Sequence, residues 1–247
     1  MAHRDEILAY AAELLDLGAW PDYGPMGMQV IGSDEVQKVV CAVSASRELF
    51  DRAAAAGAQL VVVHHGILLD KDSRVIGRRM KDRLQALFAA DLTLAGYHLA
   101  LDAHPEIGNN VLLAKELGVE VERRFGKIGF GGSLADPTSV GAFVELVRER
   151  LGSDPLVFDE GPPEVLRVAI SSGRAGYDLE LAATEGYELF ITGEPEEGSL
   201  HIARELKINF VAAGHYATER LGVQALAARL AERFGLEWEF LELPNPV

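Results

Sequence analysis

The chain carries one cysteine, Cys41, in 247 residues, so no disulfide can form within it. That suits a reducing compartment without requiring one. Cys41 stands in Val39-Val40-Cys41-Ala42-Val43, where a small thiol reads as a core residue rather than a nucleophile. Positive charge is also scarce: 23 Lys and Arg against 38 Asp and Glu leave a net charge of −15. Such a surface lacks the dense basic patch that nucleic-acid backbones require, which argues against a nucleic-acid partner. Long apolar runs are missing too. The longest uncharged stretch, 53–69, contains Gly57, Gln59 and two histidines and is no membrane span. The opening Met-Ala-His-Arg-Asp-Glu has no basic-then-apolar signal pattern, so the expectation is a cytoplasmic protein without membrane contact.

What is present is an ordinary globular composition, 49% hydrophobic and 25% charged, long enough for one large domain or two small ones. Short apolar runs at 39–43, 60–63, 92–96, 166–170, 189–192 and 208–212 read as buried strands of a parallel sheet. Helical spacing separates them. Ile7 to Leu15 predicts a helix closed by Gly18, and Ser46 predicts the cap of one running through Ala56. Further helices are expected over 75–90, 107–117, from Asp136-Pro137 through Leu151, near 197–206, and from His215 to Gly235. Trp238 and Phe240, alternating with glutamates, predict a half-exposed strand. The alternation predicts an α/β fold of two related domains, 1–126 and 127–247, in layers of sheet and helices. The glycine-rich 127–134 is the expected junction, with terminal segments free to cross between domains.

The halves echo one another. Ala42-Val43-Ser44 matches Ala169-Ile170-Ser171, Arg47 matches Arg174, Gly57 matches Gly186, and Leu60 matches Leu189. His64 and His65 then fall on Gly193 and Glu194, and Ala95-Gly96 before Asp102 echoes Ala213-Gly214 before Glu219. Two related units with corresponding strand ends facing one cleft would explain this pattern.

Candidate chemistry gathers at those strand ends. Leu60-Val61-Val62-Val63 runs straight into His64-His65-Gly66, which places two imidazoles where open α/β sheets bind ligands. An extended backbone is expected to point the two rings to opposite sides, suiting two separate metals. His215 and Glu219 are four apart and can chelate one ion from a helix face, and Asp102 can bridge two cations. Spacing alone does not separate a metal site from ordinary polar groups. The glycine loop Asp22-Tyr23-Gly24-Pro25-Met26-Gly27-Met28-Gln29 opens no helix and is a weak phosphate cradle. Arg74, Arg78, Arg79, Lys81 and Arg83 form the densest basic cluster; it reads as a solvated helix face, still open to an anionic small substrate.

Together the motifs carry a resemblance. Val62-Val63-His64-His65-Gly66, Tyr97-His98-Leu99-Ala100-Leu101-Asp102, Ile191-Thr192-Gly193-Glu194 and Ala213-Gly214-His215-Tyr216-Ala217-Thr218-Glu219 occur in the order found in the Nif-three-like family, often labelled GTP cyclohydrolase 1 type 2 homologs. The likeness spans nearly the whole chain, including Gly108-Asn109-Asn110 and Leu243-Pro244-Asn245-Pro246, and resembles the short bacterial form. It implies a dinuclear metal centre in the interdomain cleft, held by His64, His65, Asp102, His215 and Glu219. It also implies a toroidal homohexamer. The donor set suits two divalent transition-metal ions per chain: zinc, iron, manganese, cobalt or nickel. His98 and Glu194 are candidates for orienting a ligand or moving a proton. The expected activity is a metal-dependent hydrolase using metal-activated water on a nucleotide-like or phosphoester small molecule. The competing expectation is a non-catalytic metal-binding scaffold.

Overall fold

The computed structural model describes residues 1–247, which separate into two compact units. The first comprises Met1–Leu101 and Gly222–Leu243, the second Asp102–Leu221 and Pro244–Val247. No helix is long and apolar enough to cross a membrane.

In the first unit, β1 (Ala2–His3) leads into α1 (Arg4–Leu14), whose start is capped by the His3 ring accepting from the Asp5 amide. The chain leaves this helix through Asp16 at φ 46° into a short 3-10 turn (Leu17–Ala19), so Gly18 sits within that turn rather than closing α1. Then follow β2 (Gly27–Val30), β3 (Glu35–Val36), β4 (Lys38–Ser44), α2 (Arg47–Ala55), β5 (Leu60–His65), α3 (Arg78–Ala89) and β6 (Thr93–Gly96). Ser46 caps α2 as expected, accepting from the Leu49 amide. The central sheet has the order β13-β4-β5-β6-β2, with β13 (Glu237–Phe240) parallel to β4 and β2 antiparallel to β6. Cys41 is buried in β4, where burial pushes its thiol up to about 12, consistent with a core role.

The short α4 (Leu99–Asp102) carries the chain from the first unit to the second. There α5 (Asn109–Glu116) precedes a long hairpin of β7 (Val119–Phe125) and β8 (Gly129–Ser139). This corrects two expectations. The glycine-rich stretch at 127–134 is a turn and strand inside the second unit, not a junction; the unit boundary lies between Leu101 and Asp102. Its glycines answer to packing: a Cβ on Gly131 would strike the Tyr187 ring, and one on Gly132 the Glu120 carbonyl. Asp136-Pro137 likewise lies in β8, and α6 (Val140–Leu151) begins only after Ser139, which caps it. Proline has no amide to donate, and it sits where the register with the neighbouring strand jumps from Thr138 to Ser133.

Beyond α6 come β9 (Leu156–Phe158), β10 (Glu164–Ile170), α7 (Leu179–Thr184), β11 (Leu189–Thr192), α8 (Ser199–Leu206) and β12 (Asn209–Ala212). The sheet runs β7-β8-β10-β11-β12-β9, parallel across β10, β11 and β12 and antiparallel elsewhere. The last helical stretch is broken. α9 (His215–Thr218) ends at Glu219, φ −114° and ψ 9°, and α10 (Arg220–Phe234) starts anew. The expected single helix from His215 is thus two, with Glu219 at the joint.

Candidate metal centre

In the first unit, β5 delivers His64 and His65 to the carboxyl edge of the sheet. His64 is 1% exposed, and its Nδ1 lies 2.9 Å from the Tyr97 carbonyl oxygen. A carbonyl only accepts, so a proton sits on Nδ1; in the neutral ring this leaves the lone pair on Nε2, the tautomer a metal ligand needs. His98 is set in the same way: its Nδ1 is 2.8 Å from Asp22 Oδ1. The Asp22 carboxylate also accepts from the amides of Leu99 and Tyr23, at 2.9 and 2.6 Å. Burial raises the Asp22 carboxyl, but the His98 bond and charge, with the two amides, outweigh it and hold the group below its ordinary 3.8. His65 Nδ1 lies 3.0 Å from Ser44 Oγ.

The three rings converge. Centroids are 4.7 Å apart for His64 and His65, 4.9 Å for His64 and His98, and 5.4 Å for His65 and His98. One nitrogen from each lies within 4.8 Å of the others, a group able to hold a metal ion. The expectation that His64 and His65 point to opposite sides is therefore corrected: their ring centroids stand 4.7 Å apart. The space beside the Gly66 Cα is filled by the Gln29 side chain. The Gln29 Oε1 accepts from the Ile67 amide at 2.7 Å and its Nε2 donates to the Pro25 carbonyl at 2.9 Å, tying the glycine loop to the exit of β5.

The second unit has a carboxylate cluster of its own. Asp102 and Glu219 are 2% and 3% exposed, and an oxygen of each lies within 4.8 Å of the other. Two such charges repel by roughly 3 kcal/mol at an effective dielectric of about 20, which a cation between them reverses. Asp102 is held by Asn109 Nδ2 at 2.8 Å and Ser172 Oγ at 3.3 Å. Asn110 braces the same loop, accepting from the Ser172 amide at 2.6 Å and donating to the Asp102 carbonyl at 3.2 Å. His215 Nε2 meets Glu219 Oε2 at 3.1 Å, while its Nδ1 is hydrogen-bonded to Glu194. Burial lowers the His215 pKa, but its bonds to Glu219 and Glu194 and their charges outweigh this and raise it to about 9. A metal ion would take the place of that proton.

Glycine makes this corner possible. Gly173 has φ +65°, and a Cβ there would collide with the Glu219 carboxylate. A Cβ on Gly193 would come within 2.6 Å of the Gly173 carbonyl and 2.7 Å of His215 Cα.

The chain matches the DUF34/NIF3 (NGG1p interacting factor 3) family over residues 2–246. It belongs to that family. Among its relatives is the GTP cyclohydrolase 1 type 2 homolog of Escherichia coli (strain K12), 43% identical over 95% of both chains. The Yersinia pestis protein of the same name is 42% identical over 94% of both. Among solved structures, a protein described as ybgI, of unknown function, superposes with a TM-score of 0.97 at 41% identity, covering 99% of this chain and 100% of the other. A protein from Thermus thermophilus superposes at 0.92, with 36% identity and the same coverage. The two-domain α/β fold is therefore that of the DUF34/NIF3 proteins.

In this DUF34/NIF3 chain, His64, His65 and His98 converge in the first unit, and in the second Glu194, His215 and Glu219 are bonded in series with Asp102 close to Glu219. The sequence reading missed Gln29, Ser172 and the orienting role of Asn109. Their partners lie 38, 70 and 7 residues away in the chain. The available signal was Gly108-Asn109-Asn110: both asparagines are fully buried, and buried amides need partners.

Proposed function

We propose that this DUF34/NIF3 protein is a metal-dependent hydrolase acting on a nucleotide-like or phosphoester substrate, with a dinuclear centre held by His64, His65, Asp102, His215 and Glu219. The observation that carries the reading is the pair of buried carboxylates, Asp102 and Glu219, within 4.8 Å of one another. Buried anions this close call for a cation, and imidazoles with carboxylates are the donors of zinc, iron, manganese, cobalt and nickel. When bound, two divalent ions lower the pKa of water and offset negative charge that develops on a substrate.

The chain's own residues then have defined tasks. Asn109 and Ser172 fix the rotamer of Asp102. Glu194 keeps the proton on His215 Nδ1, leaving Nε2 to bind. His98, its Nδ1 proton committed to Asp22, faces the histidine pocket with a free lone pair on Nε2 and can accept a proton from water there. The same reading includes a toroidal homohexamer in the cytoplasm. The name carried by the relatives makes GTP one nucleotide to assay.

The test is elemental analysis of protein purified without chelator, beside a His64→Ala, His65→Ala double variant and Asp102→Ala. The expected result is about two transition-metal ions per chain, lost from the variants, with phosphoesterase or nucleotide turnover lost in parallel. Wild-type protein without metal, or turnover that survives in Asp102→Ala, would sink the mechanism. Full metal loading with no turnover would favour the scaffold.

A further inference from the structure

The one concentration of positive charge in this acidic chain takes no part in the metal centre. The segment after β5 and the first turns of α3 enclose a cleft of about 430 Å³, a size suited to a sugar phosphate or nucleoside monophosphate. Its wall includes Arg78, Arg79 and Arg83, with Asp72 as its one carboxylate. Asp72 is itself engaged, accepting from the Leu69 amide at 3.0 Å.

The arrangement of these cations is costly without an anion. Arg79 and Arg83 are four apart on α3 and share a face, where like charges repel. They occupy the N-terminal part of a 12-residue helix, the end whose dipole disfavours cations. Arg83 is half-buried; burial first, and the Arg79 charge second, hold its guanidinium below the ordinary range, with Asp72 offsetting only part. The helix cap is Gly77, which makes no side-chain bond to the first-turn amides, and the space beside its Cα is open. Guanidinium forks and unsatisfied helix-start amides together match a tetrahedral oxyanion. The cleft also shares Gly66 and Leu69 with the histidine pocket, so both open on the loop that leaves β5.

We propose that this cleft binds the phosphate end of a phosphorylated small molecule, whose other end extends past Gly66 to the histidines. Only the second half rests on the hydrolase reading. The anion site stands on its own.

The test is titration calorimetry on the full chain as purified, at low salt, with inorganic pyrophosphate, adenosine 5′-monophosphate and adenosine as probes. Wild type is expected to bind the first two and not adenosine. An Arg79→Gln, Arg83→Gln variant should bind both about tenfold or more weakly with an unchanged Tm, while Arg79→Lys, Arg83→Lys, which keeps the charge but loses the forks, should fall between that variant and wild type. Pyrophosphate binding should persist in His64→Ala, His65→Ala, which removes any phosphate held by metal. Binding that ignores the Arg→Gln changes, or that vanishes with the histidines, overturns the cleft. Tighter binding of a short single-stranded oligonucleotide than of the mononucleotide overturns the small-molecule assignment. If the wild type proves metal-free yet binds pyrophosphate through Arg79 and Arg83, the cleft stands and the hydrolase reading falls. Metal loading as expected, with no arginine dependence, gives the reverse.

Discussion

Three parallel strands lie at the centre of each unit, β4-β5-β6 in one and β10-β11-β12 in the other, and each trio is followed by an antiparallel edge strand, β2 and β9. The shared frame carries different chemistry. β5 ends in His64 and His65, whose rings are oriented by a neutral carbonyl and a hydroxyl. β11 ends before Gly193 and Glu194, and Glu194 is a carboxylate that orients an imidazole, His215, from the next strand's exit. The same strand-end position thus supplies candidate ligands in one unit and the group that sets a ligand in the other. Space is managed differently as well. The glycine after β5 makes room for a side chain, Gln29, whereas the glycine after β11 lets two backbone segments touch.

That last difference can be broken directly. Gly193→Ala should cost about 2–4 kcal/mol in urea denaturation, because the obstacles are the Gly173 carbonyl and the His215 backbone, which cannot yield locally. Gly66→Ala should cost only about 1 kcal/mol, since the flexible end of Gln29 can swing away. In a Gln29→Ala background the Gly66→Ala penalty should disappear; an undiminished penalty would mean the backbone, not Gln29, sets the fit.

The orienting bonds offer a gentler comparison. Asn109→Ala removes one of the bonds that hold the buried Asp102 carboxylate and should weaken metal affinity about 10- to 100-fold by competition with a chromophoric chelator. Ser44→Ala removes a partner of the more exposed His65 and should weaken it less than about tenfold. Equal losses would show that burial does not grade these two orienting bonds.

The smallest effect concerns acid. Asp22 has a folded pKa below its ordinary 3.8, so its stabilising contribution is complete above that value and fades as pH falls through the lower, folded one. The Tm difference between wild type and Asp22→Asn should be constant at neutral pH and close below about pH 4. A gap that widens on acidification would contradict this assignment.

Legibility followed burial. β4, β5, β6, β10, β11 and β12 are nearly continuous runs of buried apolar residues, which a sequence displays without help from tertiary structure. The β7–β8 hairpin was hidden because β7 carries three consecutive exposed charged residues, Glu122, Arg123 and Arg124, and β8 opens on glycines that imitate a linker. Their cause lies in Tyr187 and Glu120, groups no local window contains. The candidate ligands stood out since metal chemistry demands particular side chains in short motifs. Asp22 and Gln29 did not, because each acts through bonds that only the fold creates, Asp22 with His98 and Leu99 and Gln29 with Ile67, across long stretches of chain.

The discontinuity of the first unit also bears on how the protein is made. Its sheet is complete only when β13, residues 237–240, pairs with β4, residues 38–44. During synthesis β4 remains an open edge while the ribosome adds nearly two hundred more residues, roughly ten to forty seconds at ordinary elongation rates. The sheet translated first is therefore among the last to be completed, and for that interval the bare edge of β4 is open to pairing with another chain.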